Sequence, residues 1–357
     1  MNKNSHGADI YTEATTHKIN QNDIIDFSSN INPFGFPKSV KFSIIEALEY
    51  AHRYPDVNCR ELRKSLSNYE NVNEKYIYCS NGAIESIFRL VNFLKPKNAL
   101  ILAPTFSEYE QALKSEKCSV NYYNLTEENN FLIKDDILDF IDDNTDILFI
   151  CNPNNPTGQL TSYDMLKKII EHSKRTGTIV VLDECFIEFV DNYQEYSVKD
   201  LLDEYNNLII VKAFTKIYAM AGIRLGYCLC RNEQILNGIK KSGPVWNVST
   251  IAQVAGVAAI KETKYVENSL IYIKAQRQYL YNELINLGFN VYAPSANYIF
   301  FKSQYNCNLK EELMKNGMLI RSCGNYEGLD NRYYRVAVKM ENENKKLISG
   351  LKEILDK

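Results

Sequence analysis

A chain of 357 residues, 45% apolar and 24% charged, is long enough for one large globular domain and one smaller one. Its net charge of -3 leaves no electrostatic footprint for a nucleic-acid or membrane partner, so any basic patch for an anionic substrate must be local. Nine scattered cysteines without a Cys-x-x-Cys pair, four histidines without ligand spacing and a polar opening without a signal-peptide core imply no metal site and a reducing cytoplasm.

In chain order, residues 1–36 read as an extended arm, because Asn, Ser, Pro and Gly break any period. Residues 37–262 read as a large domain. Short apolar runs at 76–79, 99–103, 119–123, 147–151, 179–182, 208–211 and 225–230 are its strand candidates. Several are apolar throughout, as in strands covered on both faces, and helical stretches at 84–94, 108–115 and 163–175 lie between them. That alternation predicts an α/β fold with a mostly parallel sheet between helices. Two long helical stretches, 251–261 and 264–287, then lead into residues 263–357, a smaller α+β domain. It has strands at 298–302, 318–321 and 333–338 and helices at 309–316 and 341–355.

Five features stand at the ends of these strands. Lys216, in KAFTKIYAMAGIRLGY, has apolar or small neighbours, so its burial would make a nucleophilic amine; the plain alternative is a surface cation. Asp183 closes the run TIVVLD at a carboxyl strand end, where an acid can pair with a protonated ring nitrogen or simply cap a helix. Gly82 and Ala83, in SNGAIES, join a strand to a helix whose free N–H groups suit a phosphate, although an ordinary turn has the same sequence. Asn155, in NPNNPTG, sits in an irregular loop as a donor for a ring hydroxyl or as part of a rigid turn. Arg224, in GIRLGY, is either a phosphate clamp or a surface arginine. All five converge on one crevice if the sheet is parallel.

With these motifs the chain resembles the fold-type-I, pyridoxal-phosphate-dependent aminotransferase superfamily (class I/II) over nearly its whole length. The resemblance implies a seven-stranded sheet and pyridoxal 5'-phosphate as cofactor. It implies Lys216 as the Schiff-base lysine, Asp183 on the pyridine nitrogen and Asn155 on the ring hydroxyl. Gly82, Ala83, Thr215 and Arg224 fall to the phosphate, and Phe106 of APTFSEYE to stacking on the ring. Arg335 of YYRVAV matches the arginine for the substrate α-carboxylate. Tyr54 of HRYPD matches a tyrosine that reaches the neighbouring subunit's cofactor, which implies a homodimer with shared active sites.

Within the superfamily the chain looks like the branch of histidinol-phosphate aminotransferases and threonine-phosphate decarboxylases. HGAD followed by DFSSNINPFG, DECF, TKIYAMAGIRLGY and LIRSCGNYEGL lean to the decarboxylases. A phosphorylated amino-acid substrate is then expected near Arg321, His6, Asn30, Asn32, Asn155 and Arg335. The leading expectation is decarboxylation of L-threonine O-3-phosphate, with serine phosphate as a close variant and an aminotransferase as the alternative. A non-catalytic effector module is the remote one, since the short arm leaves no room for a DNA-binding segment ahead of the fold. Three departures stand out: Ala8 where the family has a second glycine, Ala213 where it often has a hydroxyl, and Phe186 where the aminotransferases commonly have tyrosine.

Overall fold

The computed structural model describes residues 7–356. Its elements run in order α1 (Ile10–His17), β1 (Ile25–Asp26), α2 (Lys38–Ala47), α3 (Arg60–Glu70), β2 (Ile77–Ser80), α4 (Ala83–Leu94), β3 (Asn98–Ala103), α5 (Glu108–Ser115), β4 (Ser119–Asn124), β5 (Ile147–Cys151), α6 (Tyr163–Thr176), β6 (Ile179–Asp183), β7 (Leu208–Ala213) and β8 (Gly226–Cys230). There follow α7 (Glu233–Lys241), α8 (Thr250–Ile260), α9 (Thr263–Asn286), β9 (Asn290–Val291), β10 (Tyr298–Lys302), α10 (Leu309–Met314), β11 (Met318–Leu319), β12 (Arg321–Ser322), β13 (Tyr333–Ala337) and α11 (Glu341–Leu355).

The large sheet has seven strands in the order β2-β8-β7-β6-β5-β3-β4. Strands β5, β6 and β7 are buried along almost their whole length, and alternate residues feed two cores, one on each face. In β5, Leu148 and Ile150 join one core, while Ile147, Phe149 and Cys151 join the other. Period-two alternation is hidden in such a strand because both faces are apolar. Strands β3 to β7 pair in parallel, but β8 runs antiparallel to both β2 and β7. The start of β8 therefore opens on the same sheet edge as the ends of β2, β5, β6 and β7. Arg224, just ahead of β8, arrives at that edge for this reason.

A second sheet, β12-β13-β10-β9, is antiparallel and carries the C-terminal part. The arm is not extended throughout. Asp9 caps α1 by accepting from the Thr12 N–H, and β1 pairs in parallel with β11. The single strand expected at 318–321 is split. Met318–Leu319 pairs with β1, whereas Arg321–Ser322 pairs with β13, so the chain changes partner at Ile320. That change sets Arg321 directly opposite Arg335. No helix among the described residues is long and apolar enough to cross a membrane.

One fully buried cation is structural. Lys212 on β7 is 2% exposed, with Nζ 2.9 Å from Glu70 and 3.3 Å from Glu188. Burial works against its charge, but Glu188 and Glu70 outweigh it and hold the amine protonated well above its ordinary range. Lys212 and, from the other side, Lys199 in turn hold Glu70 down at about 2 against its burial. Replacing Lys212 with methionine leaves Glu188 buried without its cation and Glu70 with Lys199 alone. Denaturant unfolding of Lys212→Met is expected to show a loss of about 3–5 kcal/mol. A loss under about 1 kcal/mol would show that water reaches this cluster.

Candidate active site

The ends of five strands, β2, β3, β5, β6 and β7, and the start of β8 surround a cavity of about 140 Å³. Lys216, Asp183, Asn155, Ala83, Phe106, Thr215 and Arg224 all line it, together with Phe186 and Ala213. They arrive from the connections that follow β2, β3, β5, β6 and β7, the last supplying Thr215, Lys216 and Arg224, so the convergence follows from the topology and not only from nearness in sequence.

Lys216 differs from Lys212, four residues earlier on β7. It forms no ion pair among the described residues, and its Nζ stands 5.4 Å from the centre of the Phe186 ring. Burial first, and then the charge of Arg335, push its amine from the usual 10.5 down to about 8. A half-buried lysine turned toward an apolar ring without a counter-ion suits a nucleophile rather than a structural cation.

Asp183 is 5% exposed, and both of its oxygens are occupied. Oδ1 accepts from the Cys185 N–H at 2.9 Å and Oδ2 from the Tyr109 hydroxyl at 2.6 Å. Tyr109 escapes the sequence reading. It is fully buried, stacks on Phe149 at 5.0 Å and meets Phe106 edge-on at 5.5 Å. The only signal for it is its place three residues after Phe106, at the start of α5.

The turn before α4 is built for an anion. Gly82 caps the helix at φ +76 with no side-chain cap; the Glu85 N–H turns back to the Gly82 carbonyl at 3.2 Å, and the N–H groups of Ala83 and Ile84 are the ones left for an anion. A Cβ on Gly82 would sit 2.6 Å from Arg224 Nη2, and one on Gly226 would sit 2.3 Å from the Ala83 nitrogen. Arg224 itself adopts the left-handed region, φ +59, which is costly for a residue with a Cβ.

Arg335 and Arg321 are each 6% exposed and, among the described residues, neither has a carboxylate partner. Arg335 donates from Nη1 to Asn155 Oδ1 and from Nη2 to the Ser28 carbonyl at 2.7 Å, while its buried Nε has no acceptor. Arg321 donates to Asn325 Oδ1 at 2.8 Å and lies over the Tyr326 ring at 5.3 Å. With Asn155 Oδ1 taken by Arg335, the Nδ2 of Asn155 stays available to an acceptor in the cavity.

The remaining residues divide. Asn30 is buried, with Oδ1 unpartnered. Asn32 is spent beneath Lys216: its Nδ2 donates to the Ile217 carbonyl and to Ser269 Oγ, both at 2.8 Å, and its N–H to the Lys216 carbonyl at 3.1 Å. Tyr54 is 78% exposed, stacked on Trp246 at 4.4 Å, and does not line its own chain's cavity. His6 lies outside the described residues. Ala8 stands at φ +70, with its N–H on Ser28 Oγ at 2.7 Å, which gives the physical reason a glycine suits that position.

The family model for class I and II aminotransferases matches residues 22–351. The chain belongs to that family. Its cofactor is pyridoxal 5'-phosphate. The residues present fit that group: an unpaired amine, a carboxylate held by two donors, and a glycine cradle faced by an arginine. The chain is 33% identical to the threonine-phosphate decarboxylase of Salmonella typhimurium, over 98% of this chain and 96% of that protein. It is 32% identical to the adenosylcobalamin biosynthesis bifunctional protein of Leptospira interrogans, over 99% of this chain and 41% of that one. The structure of the histidinol-phosphate aminotransferase from Clostridium acetobutylicum superposes with a TM-score of 0.87 at 34% identity, covering 92% of this chain and 98% of that one.

Because the amine at 216 is poised near pH 8, capture of pyridoxal phosphate by the unloaded chain is expected to rise as pH increases through about 8 and to level off above it. A visible-edge absorbance titration checks this. A midpoint near 10.5, the ordinary lysine value, would mean that burial does not tune the amine.

Proposed function

We propose that the chain decarboxylates L-threonine O-3-phosphate to (R)-1-aminopropan-2-yl phosphate, as a homodimer in the cytoplasm. The observation that carries the proposal is the pair of buried arginines, Arg335 and Arg321, opposed across β13 and β12 without a carboxylate of the protein's own. Two such cations suit a substrate with an anion at each end. Arg335 keeps an open Nε edge for the α-carboxylate, and Arg321 presents a fork to the phosphate. The unpartnered Asn30 Oδ1 suits a substrate N–H, and His6 falls to the substrate by resemblance.

Bound in the cavity, the cofactor supplies an electron sink for a bond broken at the substrate Cα. The rest belongs to this chain. Asp183, fixed by Tyr109 and Cys185, would face the ring nitrogen. Asn155 donates to the ring hydroxyl, alone, because Phe186 has no hydroxyl to add. Phe106 covers the ring face. Gly82, Ala83, Thr215 and Arg224 hold the phosphate, with Ala213 adding only a methyl. Arg335 orients the carboxylate so that the Cα–carboxylate bond is the one broken, and Lys216 Nζ delivers the proton to Cα. Tyr54, exposed and pointing away from its own cavity, serves the second subunit's site. Sedimentation as a single chain would remove that part.

Relatives carrying both activities stand at similar identity, so a histidinol-phosphate-type aminotransferase is the second reading; the 34% identity to the Clostridium enzyme favours it. The assay that separates them supplies L-threonine O-3-phosphate and measures CO2. Stoichiometric CO2 is expected, with serine phosphate slower by about 10–200-fold for the missing methyl. Amino transfer to 2-oxoglutarate without CO2 would overturn the decarboxylase reading.

A further inference from the structure

A carboxylate stands in the first turn of α4, the helix whose N-terminus faces the cofactor-phosphate turn. An acid there repels an arriving phosphate unless its charge is used elsewhere. Glu85 is fully used. Its Oε2 accepts from the Asn81 N–H at 2.6 Å and from Asn247 Nδ2 at 2.6 Å. Its Oε1 accepts from Arg89, from Nε at 3.0 Å and from Nη2 at 2.8 Å. Arg89 is 5% exposed and donates onward to the Pro244 carbonyl at 2.8 Å. The chain passes so close to Arg89 at Gly243 that a Cβ there would lie 2.5 Å from the guanidinium carbon.

We propose that Glu85 and Asn247 are positioning residues for the cofactor-phosphate turn, and that they tie it to the loop carrying Trp246. By holding the Asn81 N–H, Glu85 fixes the Ser80–Asn81 peptide; the Gly82 N–H is taken by the Ser80 carbonyl at 2.9 Å, so the N–H groups of Ala83 and Ile84 are the ones offered to the phosphate. Asn247 enters from a different part of the chain and also reaches the Tyr78 hydroxyl at 3.3 Å and the Cys79 carbonyl at 3.4 Å, so it clamps the strand leading into the turn. Neither Glu85 nor Asn247 lines the cavity. The neighbour of Asn247, Trp246, stacks on Tyr54, so one short loop meets both the phosphate turn and the exposed tyrosine. The left-handed backbone of Trp246, φ +59, is held by these contacts at the cost such a conformation carries.

This rests on the proposal that the turn takes the cofactor phosphate, and the test separates the two. The full chain, freed of cofactor, is titrated with pyridoxal 5'-phosphate and with pyridoxal, which lacks the phosphate. A native chain without preference for the phosphorylated form removes the phosphate reading itself. Given that preference, Asn247→Ala and Glu85→Gln are expected to lower it by about tenfold, the worth of one hydrogen bond to a charged group, while pyridoxal affinity stays unchanged. Equal losses for both compounds, or no loss, overturn the proposal. Trp246, the sole tryptophan, reads the other end of the link. Inorganic phosphate is expected to shift its emission in the native chain and not in Asn247→Ala; native emission indifferent to phosphate overturns the tie to the loop.

Discussion

Positive charge outnumbers negative where the strand ends meet. Lys216 and Arg224 line the cavity with Asp183 as the carboxylate among them, and Arg335 joins through Asn155, with Arg321 opposed to it on the paired strand. Bringing cations together without counter-ions, two of them (Arg335 and Arg321) buried, is expensive, and the fold satisfies a buried cation elsewhere when the role is structural, as it does at Lys212. The imbalance at the cavity is therefore the feature that the rest of the architecture supports. Behind burial, it helps to lower the amine of Lys216 through Arg335 and Arg224, and the proposed substrate, with a phosphate and a carboxylate, would relieve it.

The placement of those cations depends on two reversals of regularity. A sheet made only of parallel strands would send the start of its last strand to the far edge; the antiparallel β8 returns Arg224 to the working edge, beside Gly82. In the smaller sheet, the change of partner at Ile320 brings Arg321 opposite Arg335. The N-terminal arm closes the arrangement through Ser28, whose carbonyl takes Arg335 and whose hydroxyl takes the Ala8 N–H. Here the departure to alanine has a visible cost, because Ala8 adopts a backbone conformation that glycine adopts freely.

Much of this is legible in the sequence. The runs 147–151, 298–302 and the helices at 108–115 and 341–355 coincide with β5, β10, α5 and α11, because uninterrupted apolar strands and strongly periodic helices leave little choice. The cavity residues are legible too, since strand ends in a parallel sheet share one edge. What is hidden are pairings over long separations. Nothing near Asp183 announces that Tyr109 will hold its oxygen, and nothing near Glu85 announces Asn247 behind it. The helix α1 is hidden by a polar sequence without a strong apolar face, and Asn32, a substrate candidate in the sequence, has its polar atoms spent on the chain beneath Lys216.

The contrast between two lysines four residues apart, Lys212 on β7 and Lys216 just past its end, carries the account: the paired one holds the fold together, and the unpaired one is the one proposed for chemistry. Borohydride reduction of the pyridoxal-phosphate-loaded chain, followed by peptide mass mapping, tests it most directly. The account predicts one tagged peptide, containing Lys216, and none in Lys216→Ala. A tag on another lysine, or an unchanged tag in that variant, would contradict it.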